Sequence, residues 1–353
     1  MHVAIVGCGG IGKAHALAWK QVQGATLTHV VDRDRQRAEA VAAEAGAAVL
    51  TDLSDLPDDV SVVSVTTDPA SHGPLAEQCL RQGRHVFCEK PLGMTAAEGQ
   101  RLLDVAREAG RTLSVGFKMR YEPIFARARE LCPEVGEIVQ IATTKTQPFA
   151  HRGAGEWRPR VGAMFELSVH DFDLISFITG LQPQRVVAAQ LSHRLGWERE
   201  DGFTALVAYA ETGDDQGCSA GWKPAPPLSA SSSSVSAADH PDSPLAPCDA
   251  APPAGAVLAT LSGCYTRESR WLGADFSLTV TGDRGYLRVL RGDRILLHTD
   301  QLHVFEPEAP GNTFVQELQG FADAIAAGTP PPIPAEAGVT ATALIEAIWE
   351  AGQ

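Results

Sequence analysis

A chain of 353 residues is too long for one ordinary domain and suits two, each able to bury a core. With 44% hydrophobic and 20% charged residues it reads as a folded, soluble protein, and its net charge of -14 argues against nucleic acid as a partner. Seven scattered cysteines, never in a C-x-x-C pair, fit a reducing compartment better than a disulfide framework or a structural zinc site. No apolar run approaches the ~20 residues of a membrane span, and Met1–Val6 enters a glycine turn without a basic leader. A cytoplasmic protein with no membrane partner is expected.

From residue 1 to 119 short apolar runs alternate with helical patterns. Strands are predicted at His2–Val6, Ala25–Asp32, Ala48–Leu50, Val60–Thr66, His85–Cys88 and Thr112–Phe117. Helices are predicted at Ile11–Gln23, Asp34–Ala45 before the cap Gly46, Pro74–Arg81, and from the capping box Thr95-Ala96-Ala97-Glu98 to Gly110. This alternation means βαβ units and a doubly wound parallel sheet, a Rossmann domain over 1–119.

Beyond residue 120 the rhythm changes. A helix near Ile124–Leu131 precedes a strand at Glu137–Thr146, an irregular stretch to Gly162, and a helix at Met164–Thr179 stopped by Gly180. Five β-like runs follow without helices between them: Arg185–Leu191, Phe203–Ala210, Val257–Thr266, Phe276–Thr281 and Gly285–Leu290. They predict a large, mostly antiparallel sheet in an α+β domain over 120–353, closing with helices at Thr313–Ala327 and Ala335–Ala351. Residues 214–255, rich in Pro, Ser and Ala, cannot support a packed core and read as a flexible insertion, with a lid or a partner-binding loop as other readings.

Gly7-Cys8-Gly9-Gly10-Ile11-Gly12 is a G-x-G-x-x-G in the right context: a strand before it, an apolar helix after it, and Asp32 20 positions beyond Gly12. Gly7 permits the tight turn, Gly9 lets the backbone approach a pyrophosphate, and Gly12 lets helix and strand pack closely. The pyrophosphate would sit on unsatisfied helix N–H groups. Asp32 can accept a ribose hydroxyl and would repel a 2′-phosphate, favouring NAD over NADP, while Arg33 beside it could pair with that phosphate.

The strand His85–Cys88 runs into Glu89-Lys90-Pro91, which places Lys90 at the carboxyl end of a sheet strand, where such sheets bind ligands. In the helix at 164–179, Glu166, His170 and Asp173 fall at i, i+4 and i+7, on one stripe. A polar stripe with a central histidine on an otherwise apolar helix is costly to bury without a purpose. A zinc site on these three lacks further ligands to complete it, so no metal is expected.

Together these features resemble the glucose–fructose oxidoreductase, inositol dehydrogenase and MocA family. The resemblance is carried by the glycine turn with His15, Thr66-Thr67-Asp68-Pro69 with His72, Glu89-Lys90-Pro91, Gly116-Phe117 with Arg120-Tyr121, His170-Asp171-Phe172-Asp173, and the stretches Phe314–Leu318 and Phe321–Ile325. It implies hydride transfer between NAD(P) and a hydroxyl-bearing carbon of a sugar, polyol or cyclitol, and assembly into a dimer or tetramer. It assigns Lys90 to the substrate oxygen and His170 to proton transfer, which agrees with imidazole's useful titration range and with an alkoxide stabilised by a cation.

By the same resemblance Gly10, Ile11, Thr66, Thr67, Asp68, His72, Glu89 and Lys90 join Gly7, Gly9, Gly12, Asp32 and Arg33 at the cofactor. His151, Trp157 and Arg158 face the substrate. Arg120 and Tyr121 read equally as substrate contacts or as packing, and Asp173 as a substrate contact or as local structure. Glu166 stands where the family commonly has aspartate, able to orient His170 or to bind a substrate hydroxyl. An inositol-dehydrogenase-like reaction is the nearest reading, because His170–Asp173 followed by Thr179-Gly180 resembles that branch. Two alternatives use the same features: a hydrolase or lyase that retains NAD, and a non-catalytic NAD sensor, against which the presence of both Lys90 and His170 counts.

Overall fold

A computed structural model describes residues 1–149, 157–211, 255–266, 275–290, 294–306, 308–309 and 311–353. The insertion read at 214–255 lies almost wholly outside the described residues, as does His151. The chain divides into two units, one of Met1–Glu122 with Pro310–Thr342, the other of Pro123–Ala309 with Ala343–Gln353.

The first unit opens β1 (His2–Val6), α1 (Gly10–Trp19), β2 (Thr26–Val31), α2 (Arg35–Ala45), β3 (Ala48–Leu50) and β4 (Val60–Val65). It continues through α3 (Pro69–Arg81), β5 (His85–Glu89), α4 (Ala96–Ala109) and β6 (Leu113–Gly116). All neighbouring strands pair in parallel, in the order β3-β2-β1-β4-β5-β6. That order reverses between β1 and β4, which opens a crevice at the carboxyl ends of the strands. Asp34 caps α2 by accepting from Gln36 N–H and Arg37 N–H, and Gly46 ends it in the left-handed region (φ 77°). At α4, Thr95 accepts from Glu98 N–H, but the Glu98 carboxylate reaches one residue past the expected box and accepts from Met94 N–H at 2.7 Å. Helix α3 starts at Pro69 rather than Pro74: Asp68-Pro69 supplies the cap and first-turn positions where a missing N–H costs nothing, and Pro74 lies inside the helix.

The second unit holds α5 (Pro123–Leu131), β7 (Ile138–Pro148), α6 (Arg158–Ala163), α7 (Val169–Thr179), β8 (Gln182–Ser192) and β9 (Gly202–Ala210). Then come β10 (Val257–Thr266), β11 (Asp275–Gly282), β12 (Gly285–Leu290), β13 (Arg294–His298) and β14 (Leu302–Phe305). The sheet runs β14-β13-β12-β11-β7-β10-β9-β8, antiparallel except where β7 and β10 pair. The last two strands escape sequence reading because they are short and β14 is almost wholly exposed, so no alternation marks it.

Helix α8 (Thr313–Ala327) and the first part of α9 (Ala335–Ala351) belong to the first unit, whereas the sequence reading gave everything after 119 to the second domain. Packing is the reason. Leu318, Phe321 and Ala322 of α8 share one apolar cluster with Ile5, Trp19 and Phe87, and Phe321 meets Phe87 edge-on at 5.5 Å.

The expected helix over 164–179 forms without interruption, but its first turn is not α-helical. A π-helical turn, Met164–Ser168, precedes α7 directly, and Gly162 (φ +87°) kinks α6 just before it; α6 fills part of the stretch read as irregular. Glu200 sits where a side chain on Gly162 would be: a Cβ there would lie 2.4 Å from its carboxylate. Glu200 accepts from Met164 N–H at 2.9 Å and its backbone carbonyl accepts from Ala163 N–H at 2.9 Å, capping the new helix from far along the chain. Glu166, in the π turn, is therefore out of α-helical phase with His170 and Asp173, and the three do not form the single α-helical stripe that their spacing suggests.

Candidate functional site

The glycine turn is built as its chemistry requires. Gly7 takes φ +98°, and a Cβ on Gly12 would lie 1.8 Å from the Gly7 carbonyl oxygen. At Gly9 and Gly10 an added Cβ would meet nothing within 4 Å, so the backbone there is bare at the amino end of α1. Gly9 is the N-cap and supplies no side-chain cap, which leaves the first-turn N–H groups pointing at an anion site. Ile11 stands 45% exposed beside them. Asp32, just past β2, accepts from Cys8 N–H (2.7 Å) and Asp34 N–H (2.8 Å), which aims its carboxylate beside the turn with lone pairs to spare for a ribose. Burial, with the Asp32 charge adding to it, pushes the Cys8 thiol up to about 12, so it is inert. These residues fit a dinucleotide.

The Thr66 hydroxyl is spent on the fold. Buried, it donates towards the Gly7 carbonyl (2.8 Å) and so locks the turn. Thr67 Oγ1 lies 3.3 Å from the Asp68 carbonyl, and Asp68 accepts from the Ser71 hydroxyl at 2.9 Å. Arg33 is exposed.

At the end of β5, Glu89 is buried and Lys90 half-buried. Glu89 Oε1 meets His15 Nε2 at 2.9 Å, and Oε2 accepts from Lys90 N–H at 3.3 Å. Burial alone would raise the Glu89 carboxyl, but the His15 hydrogen bond and charge, with Lys90, outweigh it and hold the group below the usual carboxylate range. His72, in α3, is buried between the Pro91 carbonyl (Nδ1, 2.7 Å) and the Thr67 carbonyl (Nε2, 3.2 Å). Burial lowers its pKa, with the Pro91 carbonyl hydrogen bond and the Glu89 charge opposing. Both Glu89 and His72, expected at the cofactor, thus act from beneath: they tie Lys90-Pro91 to neighbouring elements. Tyr121 packs on α8, its hydroxyl 2.9 Å from where a Cβ on Gly320 would stand. Its pKa is raised by burial and then by the Glu317 charge. Arg120, next to it, is half-buried.

In the second unit α7 carries His170 and Asp173, both buried. The helix is seated on the sheet by Phe172, edge-on to Phe203 at 5.7 Å, and by Ser168, whose hydroxyl would lie 2.5 Å from a Cβ on Gly263. Glu166 accepts from Arg158 Nε at 2.9 Å on one oxygen and from the Tyr265 hydroxyl on the other. Burial and then the Glu166 charge push Tyr265 well above its ordinary range. The Arg158 guanidinium also lies 5.0 Å over the Trp157 ring. Trp157, Arg158 and Glu166 are thus brought together as one group.

Sequence reasoning missed Tyr265, Glu200, Glu317 and the buried Lys145–Asp171 pair. Two of these left a signal. Glu317 falls at i+3 from Phe314 and i−4 from Phe321, a charge on the buried stripe of its helix, and Lys145 sits at an inward position of β7. Glu200 and Tyr265 act across long chain separations that no local pattern records.

The parallel sheet with its glycine turn, Asp32 and strand-end lysine defines a nucleotide-binding domain of the Rossmann class, joined in the chain to an α+β domain. The pattern of the oxidoreductase family with NAD-binding Rossmann fold, GFO/IDH/MocA, matches residues 1–117, and that of the GFO/IDH/MocA C-terminal domain matches residues 125–214. The chain belongs to this family of glucose–fructose oxidoreductase, inositol dehydrogenase and MocA proteins, and its first domain is an NAD-binding one. It is 32% identical to the inositol 2-dehydrogenase of Rhizobium meliloti over 188 residues, 52% of this chain and 56% of that protein. It is 30% identical to the dTDP-3,4-didehydro-2,6-dideoxy-alpha-D-glucose 3-reductase of Streptomyces violaceoruber over 222 residues, 60% of this chain and 64% of that protein. Less than two thirds of either relative is therefore matched. The fold of an oxidoreductase from Agrobacterium radiobacter, solved with NAD+, L-tartaric acid and magnesium, superposes with a TM-score of 0.77 at 16% identity, covering 100% of this chain and 96% of that one. Among the described residues no helix is long and apolar enough to cross a membrane.

Proposed function

We propose that this chain is an NAD-dependent oxidoreductase that moves a hydride between the nicotinamide and a hydroxyl-bearing carbon of a sugar, polyol or cyclitol, an inositol being the first candidate. One observation carries the reading: Lys90 stands at the carboxyl end of β5, in a sheet whose reversal point holds a bare glycine turn and Asp32. In the oxidative direction His170 would take the proton of the substrate hydroxyl, and the Lys90 ammonium would steady the developing alkoxide. NAD supplies the hydride acceptor. Gly9, Gly10 and Ile11 would receive its pyrophosphate end, and Asp32 its ribose. With Arg158 and Tyr265 on its oxygens, Glu166 serves to shape the substrate side through Arg158 and Trp157. The names of the matched relatives, an inositol dehydrogenase and a nucleotide-sugar reductase, support this substrate class.

The same reading makes the protein cytoplasmic and a homo-oligomer. Val139, Leu258, Leu302 and Val304 are exposed on the large sheet, a surface suited to packing against a second copy.

The test is a screen of inositols, polyols, sugars and nucleotide sugars with NAD and NADP, following absorbance of the reduced cofactor. Accumulation of NADH with one alcohol is the expected result. Product formed without net NADH would move the chain to the NAD-retaining hydrolases or lyases, and a strong preference for NADP would overturn the reading of Asp32.

A further inference from the structure

Behind Lys90 three elements of the first unit each send a polar side chain to one buried point: His15 from α1, Glu89 from β5 and Glu317 from α8. One ligating atom from each lies within 4.8 Å of the other two. Glu317 is 2% exposed, and neither of its carboxyl oxygens has a hydrogen-bond partner. Glu89, by contrast, is held on both oxygens, by His15 Nε2 and by Lys90 N–H. His15 is itself boxed between the rings of Phe87 (5.6 Å) and Phe314 (5.2 Å).

Two carboxylates this close in a dry interior cannot both carry charge, so the pair takes up a proton. Glu89 stays the anion, because His15 Nε2 meets one of its oxygens and Lys90 N–H donates to the other. Glu317 takes the proton: burial first, then the Glu89 charge, raise its carboxyl well above the ordinary range, and Lys118 opposes them only partly. The remaining neighbour is Tyr121, a neutral phenol whose own pKa is raised.

We propose that His15, Glu89 and Glu317 form a buried triad in which Glu317 stands as a neutral acid beside the Glu89 anion, and that this triad positions Lys90 for its work on the substrate. The consequence follows from charge. With Glu317 neutral, a single anion lies behind Lys90, already paired with His15. With Glu317 ionised, a second anion beside Glu89 would compete for His15, the partner that holds Glu89 in place under Lys90 N–H. A divalent cation bound by the same three groups is the competing arrangement. The His15–Glu89 contact of 2.9 Å speaks against it, because that is an ordinary hydrogen-bond distance and the two groups already satisfy each other without an ion between them. Glu89 is also wedged over Gly116, where a Cβ would lie 3.0 Å from its Oε1.

The part concerning Lys90 rests on the oxidoreductase reading above, whereas the protonation of Glu317 does not, and the experiment separates them. Infrared difference spectra of the full-length protein against Glu317→Gln, taken across pH, should show a protonated carboxyl band at neutral pH that vanishes in the variant. Absence of that band would overturn the proposal. So would one Mn2+ or Zn2+ per chain that stabilises the wild type and not Glu317→Gln. On the activity side, Glu317→Leu should lower kcat by roughly tenfold with KM little changed, and Glu317→Gln, a neutral donor of the same shape, should recover most of it. The wild-type kcat should fall at alkaline pH as Glu317 ionises, and that fall should be missing in Glu317→Gln. Equal damage from both variants at every pH would overturn the positioning role. If no alcohol is turned over at all, the oxidoreductase reading fails and the infrared band decides the triad alone.

Discussion

Lys145 of β7 and Asp171 of α7 meet at 2.9 Å in the interior of the second unit, and the same ammonium donates to the Leu167 carbonyl at 2.6 Å. Both side chains are almost fully buried, at 4% and 1% exposed. The pair clamps the first turn of α7 to the sheet at the residue after His170, so it fixes where that histidine can point. Removing one partner leaves an uncompensated charge in the core. Lys145→Met should therefore cost about 3–5 kcal/mol in urea unfolding, and the double variant Lys145→Met/Asp171→Leu should regain most of that loss. A single variant as stable as wild type would mean that the Asp171 carboxyl left behind is satisfied without the ammonium.

Gly12 is the most exacting position of the cofactor turn. A methyl group there would collide with the Gly7 carbonyl at 1.8 Å, a backbone atom held by the Thr66 hydroxyl and unable to give way. Gly12→Ala should weaken NAD binding by about 5–150-fold, the equivalent of 1–3 kcal/mol of overpacking, as read by calorimetric titration. Gly10→Ala, where a Cβ meets nothing within 4 Å, should fold normally, and any loss of affinity there would report contact with the cofactor itself.

Local chemistry made half of this molecule legible. The glycine turn, Asp32 and the caps at Asp34, Gly46 and Gly110 each depend on residues within a few positions, and the parallel sheet followed from their alternation. The large sheet was legible as a set of β runs but not in its order, because β7 lies between β11 and β10, pairings set by packing across more than a hundred residues. The π turn was hidden for a related reason. It arises because Gly162 turns the chain and Glu200, distant in sequence, caps the helix that follows. On the candidate site, residue types were legible and their contacts were not: Thr66, His72 and Glu89, expected at the cofactor, have polar atoms spent on backbone and on His15.

Lys90 and His170 are assigned different duties, and their variants should differ accordingly. Lys90→Ala and His170→Ala should each lower kcat by roughly 10²–10⁴-fold once a substrate is in hand, the usual worth of a positioned acid or base. NAD affinity, read by quenching of intrinsic fluorescence, should change little for His170→Ala. Only the Lys90 variant should also raise the substrate KM, because its cation meets the hydroxyl oxygen in the ground state as well. Variants that leave both kcat and KM intact for a good substrate would remove Lys90 and His170 from the chemistry.

Glu200 offers a pH test that needs no substrate. Burial raises its carboxyl above the ordinary 4.5, with the Met164 N–H bond and the Arg199 and His193 charges opposing. Between that unfolded value and the raised folded one, the native state holds a proton that the unfolded chain has lost. Stability therefore falls as pH rises through this window and levels off above the folded value. Glu200→Gln keeps an oxygen to accept from Met164 N–H but has no charge to desolvate. It should raise Tm relative to wild type near pH 8, and the gain should shrink as pH drops towards 4.5. A gain that is the same at every pH would mean better packing, and a loss at every pH would mean that the carboxylate is bound more tightly by Arg199, 3.8 Å from Oε2, than burial penalises it.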